Sequence, residues 1–469
     1  MSSHSFSERH QGKKEGEEIR HILKTIAAKD IPSLIQETIP ENILLDKNWK
    51  VVEAASEEDF LSRFQELLRK NILCRSFIGK GYYTSFLPSV IRRQVLENPA
   101  WYTAYTPYQS EISQGRLEAL LNFQTLISEL TGLPLSNASL LDEATACAEA
   151  MLMTYRARED KAQNVFLVDR HIFPQTLDVL LSRAEPLGIE IQVQTWSKAV
   201  FSSPYVFAAL CQYPNSEGEV LDHRVHLSFA RKQKIQTVMC SNPLALTLFT
   251  SPGELGANIA VGSTQILGLP IGFGGPHAAY LAAQDKYKRL LPGRIIGISQ
   301  DKEGNDAYRM ALQTREQHIR RGQATSNICT SQVLLAIISS FYAIYHGPKG
   351  LQRIAERIRW YTYLLVDAFQ QLPLRVIHTK KLFQTILLEV EDELQVRSVK
   401  TCAEQARLNF DYPASRHISI SLDEATNLSD LNNILNVFSE ALGIPCPVVN
   451  RESKFVFSEA TQRTDSFLN

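Results

Sequence analysis

Between Asn164 and Val261, runs that read as strands alternate with runs that read as helices, and this alternation constrains the fold more than any other feature. NVFLVD (164–169), IEIQVQ (189–194), YVFAALCQY (205–213) and IQTVMC (235–240) are short and rich in β-branched or aromatic residues. PQTLDVLLSRAE (174–185) and HRVHLSFARKQ (223–233) lie between them with helical spacing. The run Ile259-Ala260-Val261 is apolar throughout, which suits a strand buried on both faces. Strands alternating with helices predict an α/β fold with a large, mostly parallel sheet covered on both faces.

The flanking sequence extends this plan. Leu117, Leu120, Leu121, Ile127 and Leu130 follow helical spacing up to Gly132, and a second helix is expected from about 144 to 156. Past HGPKG at 346–350, Leu351, Ile354, Ile358, Tyr361, Leu365 and Phe369 mark a long amphipathic helix. FQTILLEV and ISISL then read as strands, and VRSVKTCAEQARL and LSDLNNILNVFSEAL as helices. The expected organisation is an N-terminal helical arm (1–75), a large α/β domain (76–349), a smaller C-terminal α+β domain (350–447) and a tail (448–469). The tail has no clear period and is expected to need a surface to dock on.

With 469 residues the chain exceeds a single core, and 44% apolar with 21% charged residues is ordinary for a globular protein. Lys+Arg number 49 against 50 Asp+Glu, a balance that gives no support for a nucleic-acid partner or an anionic membrane. The apolar run from Val333 to Tyr345 is too short to span a bilayer, and the polar N-terminus lacks a signal-peptide core. Seven scattered cysteines form no CxxC pair, which points to a reduced, cytoplasmic chain. No zinc-ligand spacing occurs, and no metal is expected.

The run at 259–261 leads into Gly262-Ser263-Thr264-Gln265 and a loop holding Gly268, Gly272, Gly274 and Gly275, closed by Pro276 and His277. A strand end followed by a glycine-rich loop is where open α/β sheets place ligands. Together with the smaller C-terminal domain and the arm, this resembles the fold type I architecture of pyridoxal-phosphate-dependent transferases. In that architecture a strand-end Asp pairs with the cofactor's ring nitrogen, and a lysine about two dozen residues later forms the Schiff base. Here the strand IQTVMCS ends in Asn242 and the later position holds Gln265, with no lysine between Asn258 and Asp285. An amide nitrogen is not a nucleophile near neutral pH, so Gln265 cannot stand in for that lysine. The cofactor's phosphate normally rests on a helix N-terminus, and the matching helix begins Leu141-Asp142-Glu143. These two carboxylates favour the helix dipole but repel a phosphate. Three adverse positions agree that the chain does not hold this cofactor by itself.

Longer stretches resemble one family. RHQG near the N-terminus, WYTAYTPYQSEISQGRLEALLNFQT (101–125), NASLLDEATACAEAM (137–151), GSTQILGLPIGFGGPHAAY, PGRIIGIS (292–299) and RMALQTREQHIRRGQATSNICTSQVLLA (309–336) resemble the P-protein of the glycine cleavage system. They correspond to its N-terminal half, or to the α-type subunit 1 where the enzyme is split in two. The resemblance implies glycine dehydrogenase (decarboxylating) activity, in which glycine loses CO₂ and its aminomethyl group passes to the lipoyl H-protein. It also implies a β-type subunit 2 that carries the lysine and binds pyridoxal phosphate, the two forming a heterotetramer. Setting that subunit's GGPG on Gly274-Gly275-Pro276-His277 places the lysine opposite Gln265.

The same resemblance points to residues of a shared site. Tyr105, Tyr108 and Gln109 lie in an aromatic stretch whose side chains join an apolar body to a polar handle, and with His277 they are the candidate catalytic residues. Thr325, Ser326 and Asn327, before the apolar helix at 331–345, are candidates to hold the partner's phosphate, or else to cap that helix. Arg309, Arg315, His318, Arg320 and Arg321 form a basic segment suited to a carboxylate or an acidic carrier surface, or to plain solvation. Two other readings stay open: a non-catalytic stabilising or regulatory subunit of the same fold, and a self-sufficient pyridoxal-phosphate enzyme with its lysine elsewhere.

Overall fold

The structure is a computed structural model describing residues 10, 16–44, 55–103, 107–197, 200–313, 317–324, 326, 328, 332–452 and 461–468. Two compact units meet in sequence at Ile72 and Leu73. The first contains helices Glu17–Thr25, Ile31–Thr38 and Glu57–Leu68, none of which has a buried residue. Asp30 and Ser56 cap the second and third by accepting the Ser33 and Asp59 N–H groups.

The second unit, Leu73–Asn469, is built on a seven-stranded sheet. Its strands are β1 Leu135–Ser136, β2 Val165–Asp169, β3 Glu190–Gln194, β4 Val206–Tyr213, β5 Gln236–Ser241, β6 Ile259–Ser263 and β7 Ala279–Ala283. They lie side by side in the order β1-β7-β6-β5-β4-β2-β3. The five from β3 to β6 are parallel, whereas β7 runs antiparallel to both β6 and β1. All five runs read as strands from the sequence are present. AYLAA, which forms β7, directly follows the glycine loop, so no strand–helix–strand pattern announces it. The central strands β2 and β4 are buried at every residue, as a sheet covered on both faces requires.

Alternation of side chains along these strands divides the core in two. One face presents Leu167, Ala209, Met239 and Ala260 to helix α1 (Gln114–Thr131), through Leu117, Leu120, Phe123 and Ile127. The other presents Phe166, Leu210, Val238 and Val261 to α2 (Glu143–Ala157) and α3 (Pro174–Ala184), through Met151 and Leu180. Each large side chain buried this way contributes about 1.5–3 kcal/mol. Helix α4 (Arg224–Lys232) adds Leu227 and Ala230 to the first face.

A long helix, α5 (Val333–Phe369), joins this layer to a second sheet. It is broken at Gly347, where φ is 63° and ψ is 175°. Pro348 has no N–H to continue the ladder and disfavours helical backbone before it, which explains the break at HGPKG. The second sheet comprises β8 Arg375–Val376, β9 Thr385–Glu389, β10 Asp411–Ala414 and β11 His417–Ser421, all antiparallel, in the order β8-β9-β11-β10. Helices α6 (Glu393–Gln405) and α7 (Leu428–Leu442) pack together beside it, and Phe438 of α7 meets Phe369 of α5 with ring centroids 4.9 Å apart.

One further feature was not legible in the sequence. A hairpin of Ile296–Gln300 with Asp306–Met310 grips α1, because Gln114 and Gln124 exchange amide hydrogen bonds with Tyr308 and Ile296. The described part of the tail, 461–468, does find its docking surface: Arg463 donates to the carbonyl oxygens of Leu130 and Leu246, each at 2.8 Å. No helix among the described residues is long and apolar enough to cross a membrane.

Candidate functional site

Strands β4, β5 and β6 end on the same side of the sheet, and their ends meet α2 and the segment Gly79–Phe86 around a narrow cavity. Gly81, Tyr83, Glu143, Phe173, Gln212 and Asn242 are among its walls, with Phe383, Gln384 and Thr385 closing it from the second sheet. This is the switch-point position at which open α/β sheets hold ligands.

Gln265 lies behind the cavity wall, fully buried. Its Oε1 accepts the Tyr83 N–H at 2.8 Å, and its Nε2 donates to the Tyr83 and Leu269 carbonyls, each at 2.7 Å. Every polar atom of this amide is therefore committed to backbone. Asn242 is similarly occupied: its Oδ1 accepts the N–H groups of Leu244 (2.9 Å) and Ala245 (3.3 Å), starting the turn after β5. Asn258 bonds Thr237 and Gln284 and is a strut between strand ends.

At the start of α2, Asp142 and Glu143 behave differently. Asp142 is the cap, accepting the Thr145 N–H at 2.7 Å. Glu143 instead turns inward, where Gln212 Nε2 donates to its Oε1 at 3.3 Å. Burial pushes its carboxyl up to about 7, against hydrogen bonds from Cys240 and Gln212 that work the other way. Reading both as a plain acidic helix start thus holds for Asp142 and misses Glu143. Nothing in the local pattern distinguishes the two, since what turns Glu143 inward is Gln212 on a strand 69 residues away.

Pyridoxal phosphate, which the resemblance to fold type I implies, does not fit this cavity. The walls leave only about 20 Å³ in which the centre of a water molecule can move, room for one or two waters. Tyr83 stands in the wall, its backbone held by Gln265. No lysine stands at Gln265, the strand-end position holds the neutral and engaged Asn242, and a half-buried carboxyl, Glu143, stands at the phosphate position. The cavity is stabilised as structure, and this chain's residues do not form a holding site for the group.

His277 closes the glycine loop next to the same helix start, with Tyr82, Asp142, Glu143, Ser263 and Thr176 around it. It is 5% exposed, and neither ring nitrogen has a hydrogen-bond partner among the described residues. Burial holds it below the usual imidazole range, while Asp142 works weakly the other way. The ring of Tyr82 packs on it with centroids 5.1 Å apart. Four residues earlier, Phe273 stands 93% exposed at the tip of the loop.

The other candidates lie elsewhere. Tyr108 is buried with the Arg294 guanidinium 5.4 Å above its ring, and Gln109 is exposed beside it, its carbonyl accepting the Ser113 N–H. Arg294 was missed by sequence reasoning, because an arginine in a loop gives no signal of burial. Tyr105 lies outside the described residues, as do Thr325, Asn327 and Arg315. Ser326 accepts the Ile328 N–H at 3.1 Å and lies beside Glu149. Helix α5 begins only at Val333, with Gln332 before it and no side-chain cap. Ser326 is therefore not the N-cap, and it stands more than a turn outside the helix start. Arg309, Arg320 and Arg321 are exposed.

Comparison with known proteins agrees with this architecture. The profile of the glycine cleavage system P-protein family matches residues 8–438. Glycine dehydrogenase (decarboxylating) of Flavobacterium johnsoniae is 46% identical over 473 aligned residues, covering 100% of this chain and 49% of that protein. The chain thus spans about half the length of the relatives it matches. A crystal structure of glycine decarboxylase (P-protein) in inhibitor-bound form superposes with a TM-score of 0.82 at 30% identity, over 92% of this chain and 99% of the other. A sphingosine-1-phosphate lyase of Burkholderia pseudomallei shares the fold alone, with a TM-score of 0.59 at 13% identity over 86% of this chain and 94% of that one. The architecture is fold type I, and the chain belongs to the glycine cleavage system P-protein family.

Proposed function

We propose that this chain is the lysine-free half of a two-part glycine decarboxylase. In this reading it assembles in the cytoplasm, as a heterotetramer, with a β-type subunit 2 that binds pyridoxal phosphate. The complex decarboxylates glycine and passes the aminomethyl group to the lipoyl H-protein. The cofactor, when bound in the partner, supplies the electron sink for loss of CO₂. This chain supplies walls and orienting groups.

Gln265 is the observation that carries the reading. A family member with the whole fold has, at the Schiff-base position, an amide locked into three backbone hydrogen bonds, beside a cavity too small for the cofactor. The relatives' doubled length supports a second half that carries the missing chemistry. His277, buried and neutral with both nitrogens open to hydrogen bonding, is our first candidate for the shared wall. Tyr105, Tyr108 and Gln109 are assigned to the same wall, and Thr325, Ser326 and Asn327 to the partner's phosphate.

The test is to purify the chain alone and together with a partner carrying a GGGGPG-type loop and its lysine. Alone it should be colourless and inactive; the pair should be yellow and release CO₂ from glycine in the presence of H-protein. A yellow, borohydride-reducible chromophore in the isolated chain overturns the proposal in favour of a self-sufficient enzyme. Replacing Tyr105, Tyr108 and His277 one at a time then separates the remaining rival. Unchanged turnover in all three identifies a stabilising subunit with no residue in the site.

A further inference from the structure

On the outer side of the turn at 214–220, four side chains far apart in sequence converge. Glu217 Oε2 lies 2.7 Å from His378 Nε2, and His378 Nδ1 lies 3.2 Å from Glu219 Oε1. Glu217, Glu219 and His378 each present a donor atom within 4.8 Å of the other two. His171 Nε2 approaches the other oxygen of Glu217, at 3.8 Å. The ring of His171 is fixed from behind, because Asp169 Oδ1 lies 3.2 Å from its Nδ1.

The scaffold under these groups is rigid. Asn215 Oδ1 accepts the N–H groups of Glu217 (3.0 Å) and Glu219 (2.9 Å), which aims both carboxylates outward. The Val220 N–H donates to the Lys381 carbonyl at 2.7 Å, tying the turn to the segment that carries His378. Charge also favours a cation. Asp169, Glu217 and Glu219 bring three carboxylates into one cluster, where a divalent ion adds counter-charge to that of the histidines. Bringing such charges together without a counter-ion is unfavourable.

We propose that Glu217, Glu219 and His378 form a binding site for a divalent first-row transition-metal ion. The ion clasps the turn after β4 to the second sheet. One imidazole nitrogen with two carboxylate oxygens, water completing the shell, suits Zn²⁺ and its neighbours, whereas Mg²⁺ and Ca²⁺ favour all-oxygen sets. Tetrahedral ligand atoms around zinc sit about 3.3 Å apart; Glu217 faces Nε2 of His378 and Glu219 its Nδ1, so one carboxylate swings across the ring edge to complete the shell. Because its ligands come from positions 217, 219 and 378, no motif spacing could have revealed the site.

The experiment uses the full chain, stripped with EDTA and dialysed, titrated with ZnCl₂ by calorimetry and followed by thermal unfolding. One equivalent should bind, and Tm should rise with free Zn²⁺ concentration. His378→Ala and Glu217→Gln should each weaken binding at least about tenfold and abolish the rise in Tm. If either variant fails to fold, Glu219→Gln carries the test, since it leaves the backbone contacts of the turn intact. Co²⁺ as a second probe should give visible d–d bands without a thiolate charge-transfer band. Absence of binding, equal affinity in the variants, or a thiolate band that places the ion on the cysteines overturns the proposal.

Discussion

Replacing Gln265 by leucine removes the amide that ties Tyr83 to the turn after β6 while keeping almost the same volume. In the native chain that amide is fully buried and makes three hydrogen bonds, at 2.8, 2.7 and 2.7 Å, to one backbone N–H and two carbonyls. Leucine satisfies none of them. Each backbone group left buried without a partner costs about 1–3 kcal/mol. Leucine regains about 1–2 kcal/mol by burying apolar surface, and a water in the adjoining cavity can rescue one of the three groups. The net expectation is a loss of about 1–4 kcal/mol, a sizeable share of what holds a typical domain together. Urea unfolding of both proteins measures this through the midpoint, and hydrogen exchange of the segment 79–87 reads the loss locally. A destabilisation below about 1 kcal/mol, or unchanged exchange in that segment, refutes the argument that Gln265 is a structural strut.

Two more outcomes follow from buried polar groups. Glu143 sits at about 7 in the folded chain against a reference of 4.5, so its contribution to stability is complete below about 4.5 and is lost as pH rises through 7. Glu143→Gln should therefore gain on the native protein between pH 4.5 and 7, by at most about 3 kcal/mol, and hold that gain above; a pH-independent gap in denaturation midpoints would count against a buried carboxyl. Arg463→Ala strips donors from the carbonyls of Leu130, Leu246 and Glu129, all at 2.8 Å. It should lower stability by about 2–4 kcal/mol and expose residues 461–468 to limited proteolysis, and continued protection of that segment would sink the docking role.

The sequence by itself determined the parallel core and the chemistry that is missing. Periodicity reports local structure, so the five parallel strands and their helices could be read from runs such as NVFLVD and YVFAALCQY. The identity of one side chain, Gln265, was enough to exclude a Schiff base there, because an amide cannot do what an amine does. Family motifs spread along the chain placed it correctly in the P-protein family. Tertiary structure alone decided the rest. It set β7 antiparallel beside β6 after a loop with no strand signal. It turned Gln265 from a vacated catalytic position into a strut, through partners 182 residues away at Tyr83. It also turned Glu143 toward Gln212, seated Arg463, and gathered positions 171, 217, 219 and 378 into one cluster. These are pairings of polar groups across distant parts of the chain, fixed by the need to satisfy buried donors and acceptors. Periodicity carries no record of such pairings, and only packing the sheets together shows which partners meet.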